Sequence, residues 1–191
     1  MSYFEKSESL KNPATKFISW NASEGYFAYW DKENKQNVSL GDEMVILPLK
    51  QLSTIKGFHK QLEGSFVANE VSNTTTEELN VRVFVKNSKG ESKQQPFELG
   101  LYKDIKDKIK TAGGKFSISL YCLLVNEGKT ELVNVQFYGA SLSPFIDLGR
   151  EVVDSGAMIH CTKNPEIQKN GGVKFYIPSF RAGRIDEALL E

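Results

Sequence analysis

"GLYKDIKDKIKTAGGKFSISLYCLLV", Gly100 to Val125, changes its hydrophobic period halfway along. Leu101, Ile105 and Ile109 recur every four residues among lysines and aspartates, the spacing that gathers apolar side chains on one stripe of a helix. Gly113-Gly114 supplies the stop, since glycine adopts a helix-ending left-handed conformation at little cost. Phe116 to Val125 is then a nearly unbroken apolar run of strand length, and Cys122 within it reads as a buried strand residue. A helix over 101–111 therefore interrupts a chain whose other strong signals are those of strands.

Working outward, LNVRVFVK (Leu79 to Lys86) alternates strictly, with Val81, Val83 and Val85 on one face and Arg82, Phe84 and Lys86 on the other. Gly64 to Val71 reads as the strand before it, across a turn at Asn73, Thr74, Thr75 and Thr76. Earlier still, Lys16–Trp20 and Tyr26–Trp30 form a hairpin around the turn NASEG. DKENKQN reads as a polar turn, and MVILPL as a short apolar run whose Pro48 argues against a central strand. LSTIKGF reads as a turn or short helix, and NSKGESKQQP as a loop. Downstream, Leu132 to Gly139 is a strand, residues 142–158 form a second helix around Ile146, Leu148, Val152 and Val153, and Gly171 to Pro178 is a last strand.

This order predicts a mainly β fold with some α: an OB-fold-like five-stranded barrel, its helix between strands three and four, with a C-terminal helix and strand extension. An irregular β-sandwich with one helix fits the same order. The expected organisation is a flexible N-terminal arm over 1–13, a single OB-like domain over 14–180, and a short, mildly acidic tail over 181–191.

The 191 residues carry 24 basic and 24 acidic side chains, so no global charge draws the chain to nucleic acid or to an acidic membrane. MSYFEKSESLKNP has no apolar core, and no later segment has the roughly 18–20 apolar residues that span a bilayer, so the expectation is an intracellular protein without membrane association. Cys122 and Cys161 then read as free thiols. His59 and His160 lie in no metal-ligand spacing, and no constellation suggests catalysis, so neither an enzyme, a metal nor a cofactor is expected. Glu127-Gly128-Lys129-Thr130 ends like a phosphate-binding loop, but Leu123 stands where that motif needs glycine, and a hairpin turn is the better reading.

Binding is better supported. Four aromatic residues fall in the five positions Tyr26 to Trp30, so both faces of that strand are aromatic. If Phe27 and Tyr29 face the core, Tyr26 and Trp30 face outward with Lys32; a one-residue slip exchanges the two sets. The same logic turns Arg82, Phe84 and Lys86 outward, then Tyr121, Tyr138, and the pair Lys174 and Tyr176. With Trp20 of the hairpin, these are the candidate nucleic-acid-binding residues, because aromatic faces stack bases while lysine and arginine follow phosphates.

Lined up this way, several short motifs resemble a family of small proteins encoded by phages of Bacteroidetes, including crAss-like phages. They are Trp20; Gly25-x-Phe27-x-Tyr29-x-Asp31-Lys32; Asn37-Val38; Leu52 to Phe58; Asn69-Glu70-Val71; Val81-Arg82-x-Phe84; Gly100-Leu101-Tyr102-x-Asp104-Ile105-Lys106; and Gly113-Gly114-Lys115. The resemblance covers roughly residues 16–139. It implies an OB-fold single-stranded DNA-binding protein without chemistry of its own, acting in phage DNA replication, recombination or repair in the cytoplasm of a bacterial host. Phage replication proteins would then be its partners. The ending Asp186-Glu187-Ala188-Leu189-Leu190-Glu191 departs from the longer acidic, aromatic-ended tails with which many such proteins recruit partners. The rival reading is a structural or protein-recruiting phage module whose outward aromatics form a protein interface. A carbohydrate-binding sandwich using Trp20 and Trp30 ranks below it.

Overall fold

The computed structural model describes residues 12–86, 90–126 and 129–184 and is mainly β. One sheet carries the architecture. Its strand path runs β3 (Gln36–Ser39), β2 (Tyr26–Asp31), β1 (Lys16–Asn21), β9 (Lys129–Phe137), β8 (Gly114–Asn126), β4 (Glu43–His59), β5 (Gly64–Ala68), β6 (Leu79–Lys86) and β7 (Ser92–Gly100). Neighbours along the path are antiparallel except β1 and β9, which are parallel. Beside the N-terminal part of β4 lie β10 (Met158–Lys163) and its partner β13 (Pro178–Gly183), while β11 (Gln168–Asn170) and β12 (Val173–Phe175) form a separate small hairpin. Among the described residues there are three α-helices, α1 (Tyr102–Thr111), α2 (Leu142–Asp147) and α3 (Arg150–Asp154), with a single 3-10 turn at Gly139–Ser141 leading into α2.

The expected helix α1 and the strands at Lys16, Tyr26, Gly64, Leu79, Phe116 and Leu132 are all present. The largest correction is β4. MVILPL and LSTIKGF are one 17-residue strand at the centre of the sheet, paired with β8 from Val45 to Gly57. Pro48 survives there because the register shifts between Pro48 and Lys50, and a bulge spares the amide that proline lacks. The loop expected before α1 contains most of β7, whose Pro96 sits beside another register shift on the outermost strand, where a missing donor costs little. Gln36–Ser39 leaves the polar turn to form β3. The helix expected over 142–158 is two short helices separated at Gly149, whose φ of 91° only glycine adopts readily, and Met158 already begins β10. The strand expected over Gly171–Pro178 shrinks to β12, and β13 follows it. Ala182 and Gly183, expected in the tail, pair with Ile159 and Met158. Most of the expected arm, and the tail beyond Arg184, lie outside the described residues.

Closing a sheet into a barrel requires its first and last strands to meet. Here the path ends at β3 and β7, which form no ladder with each other among the described residues. Between β7 and β8, α1 packs Ile105 and Ile109 against the sheet. α1 thus lies between two strands as expected, but the strand before it is β7 and not Leu79–Lys86, and no closed barrel forms among the described residues.

Both hydrophobic clusters lie on one face of the long β4–β8 ladder. One gathers Ile18, Phe27, Ile46, Leu120, Val133, Val135 and Phe137 under Phe145 of α2, Val153 of α3 and Phe180 of β13. Phe137 and Phe145 stack with centroids 3.8 Å apart, and Phe180 meets both edge-on. The other gathers Ile55, Phe66, Leu79, Val81 and Val83 under Ile105 and Ile109, with Phe116 packing against both clusters. Where β4 curls past the end of α1, Gly57 has a φ of 123° and a side chain there would meet the Gly113 carbonyl at 2.6 Å. Cys122 and Cys161 are free, buried thiols, and burial pushes the Cys122 thiol up to about 12. Among the described residues no helix is long and apolar enough to cross a membrane.

Candidate nucleic-acid interface

With the core on one face, every alternate residue of these strands falls on the other. Cross-strand partners share a face, so the register maps this open face row by row. On β2, Ala28 pairs with Ser19, and Trp30 pairs with Asn37. Trp30 is 54% exposed, and Phe17 on the same face of β1 is 45% exposed. Phe17 is the partner of Asn134, which is the partner of Tyr121, which is the partner of Lys50. Further along β4, Lys56 pairs with Lys115. Phe58 pairs with Ser65, Ser65 with Phe84, and Val67 with Arg82.

The middle of this face is a polar network that is itself buried, with Thr54, Ser117, Ser119 and Asn134 enclosed and the exposed rings lying to either side. Ser119 Oγ and Tyr121 Oη both donate to the Glu70 carboxylate, the tyrosine at 2.7 Å. Asn134 Nδ2 donates to Ser119 Oγ, and Asn12 Nδ2 donates to Tyr121 Oη. Burial and the Glu70 carboxylate together push the Tyr121 phenol up to about 12. Glu70 reaches this position because Val71 bonds to Ser53 through both backbone groups, which extends the chain past β5 along the edge of β4. Burial lowers the Lys56 ammonium, with Glu70 acting weakly against that shift from beyond ion-pair distance.

The structure brings most of the sequence-predicted residues to this face. Tyr26 and Trp30 lie on β2 with Lys32 exposed just beyond it, and Phe27 and Tyr29 pack against the core as expected. Arg82, Phe84 and Lys86 occupy the open side of β6. Tyr121 sits in the polar network, and Tyr138 follows Asn134 and Gln136 in extended backbone at the end of β9.

Three residues fall elsewhere. Trp20 is on the core face, edge-on to Phe27 at 4.9 Å, its Nε1 donating to the Tyr176 carbonyl at 2.9 Å. The Tyr176 ring lies 3.5 Å from Lys163 Nζ and its amide bonds to Ala22, while Lys174 belongs to the separate β11–β12 hairpin. Alternation along Gly171–Pro178 misled because this short hairpin has no core beneath it.

Sequence reasoning missed Phe17, Lys56, Phe58 and Lys115. Phe17 was legible from its place opposite Ile18. Lys56 and Phe58 were hidden by reading LSTIKGF as a turn.

The histidines stand apart from the open face. His59 is buried between Phe66 and Phe97, and its Nδ1 accepts from the Leu62 amide. His160 Nδ1 is 2.7 Å from Glu43 and 3.2 Å from Arg181 Nη2. No group of three His, Cys, Asp or Glu side chains that could hold a metal occurs among the described residues. Lys129 pairs with Asn126 and opens β9, so Lys129 and Thr130 lie in a strand where a phosphate-binding loop needs a helix.

Flat rings beside cations suit stacking and phosphate contact more than bond-breaking chemistry. No protein-family model matches this chain, and no characterised protein or solved structure shows significant similarity to it. The resemblance to the phage proteins therefore rests on its short sequence matches.

Proposed function

We propose that this chain binds single-stranded DNA across the open face of its sheet, with little sequence preference, and serves phage DNA replication, recombination or repair. The observation that carries the reading is a face, opposite a filled core, that exposes Trp30, Phe17 and Phe58 and partly exposes Phe84, interleaved with cations. Among the described residues Lys32, Lys56, Lys86 and Lys115 enter no ion pair, which leaves their charge available to phosphates. Zero net charge does not oppose this, because a local stripe of cations acts at contact range under screening salt. The strand, helix, strand order about α1 also supports an OB-like ancestry for the platform.

The test is fluorescence anisotropy of a labelled oligo-dT. Stacking on an aromatic ring contributes about 1–3 kcal/mol per base, so Trp30→Ala and Phe84→Ala each weaken binding by at least several-fold. Unchanged affinity in both variants contradicts the reading. Glu70, set among the aromatics, favours the rival protein-recruiting reading, under which the face binds no oligonucleotide.

A further inference from the structure

Among the described residues, the β6 end of the open face carries cations that are partly buried without an acceptor. At the β6 end, Arg82 Nε is buried and donates to no acceptor among the described residues. Two strands further on, on β4, Lys56 is partly buried and enters no ion pair among the described residues, and Val67 of the intervening β5 is the partner of Arg82. Lys56 is the register partner of Lys115, so two cations share this row. A buried donor and a desolvated ammonium each cost stability, and one anion laid along the row relieves both. Lys115 also lines a cleft with Lys106, Lys110 and Asp107 of α1, so a net positive charge continues off the end of the sheet. In the neighbouring row, Phe58 is 53% exposed and Phe84 follows it across Ser65.

We propose that the sugar-phosphate backbone of the bound strand crosses β6, β5, β4 and β8 along Arg82, Lys56 and Lys115, at right angles to the β-strands, while its bases stack on Phe58 and Phe84. This path rests on the single-stranded DNA reading and adds the direction of the strand to it. Glu70 lies across the cation row from the phenylalanines, so its carboxylate holds the phosphates to the near side.

The experiment measures the affinity of the intact chain for oligo-dT across a range of salt. Each phosphate contact contributes about 0.7 to the slope of log affinity against log salt for a single strand. Lys56→Gln and Lys115→Gln therefore each flatten the slope by about 0.7, and Lys174→Gln, off the face, leaves it unchanged. Phe58→Ala weakens binding by about 5- to 150-fold at fixed salt, with the slope preserved. Lys115 is exposed, so its variant keeps the test decisive even if Lys56→Gln fails to fold. Salt-sensitive binding whose slope is the same in wild type, Lys56→Gln and Lys115→Gln overturns the path and leaves the function standing. Absence of oligo-dT binding by the wild type at low salt overturns both.

Discussion

Phe27 and Trp30 lie three residues apart on β2 and point to opposite faces, so truncating each in turn tests which face is the core. Phe27 is 2% exposed and meets Trp20 at 4.9 Å, and Phe137 and Phe180 at 6.3 Å each. Removing a buried phenylalanine costs about 3–5 kcal/mol, and the three lost ring contacts place Phe27→Ala at the upper end, about 4–5 kcal/mol. Trp30 is 54% exposed, so Trp30→Ala costs about 1 kcal/mol at most. With a urea dependence of about 2–3 kcal/mol/M for a chain of this size, the unfolding midpoint falls by about 1.5–2 M in the first variant and by less than about 0.5 M in the second. Far-ultraviolet circular dichroism reads both transitions without relying on either tryptophan. Equal losses, or a larger loss at Trp30, would refute the assignment of faces and with it the open platform.

The burial of both thiols predicts that Cys122 and Cys161 resist a thiol-specific reagent in the native protein at neutral pH and react only on unfolding; rapid native labelling of either contradicts their place in the core. Tyr121 titrates near about 12, above the ordinary value of 10.0, so it stays neutral when folded and its contribution to stability is lost as pH rises through that window. Tyrosinate absorbance shows this late step, and Tyr121→Phe removes it.

What the sequence disclosed follows from how local each signal is. The Leu101, Ile105, Ile109 stripe and the Val81, Val83, Val85 alternation lie within one element each, and both elements formed where expected. β4 was hidden because its two halves serve different clusters, Ile46 in one and Ile55 in the other, with a bulged proline between and polar Thr54 and Ser53 interrupting the apolar pattern. β7 was hidden because an edge strand tolerates Pro96 and exposes most of its side chains. The site was legible on β2 and β6, where strict alternation fixes the face. It was illegible at Trp20 and Tyr176, whose surroundings depend on contact between the β1–β2 turn and the segment after β12, more than 150 residues away in sequence. Glu70 could not be foreseen as a partner of Tyr121, since only the bridge from Val71 to Ser53 brings it there.

The most direct test of the central claim is titration of the purified protein with oligo-dT at low and moderate salt while following intrinsic tryptophan emission. Trp20 is committed to the core and Trp30 lies on the open face, so strand binding quenches a signal that Trp30→Ala removes, and the affinity falls steeply as salt rises. No binding at low salt, or binding that leaves Trp30 emission and salt sensitivity untouched, contradicts the account.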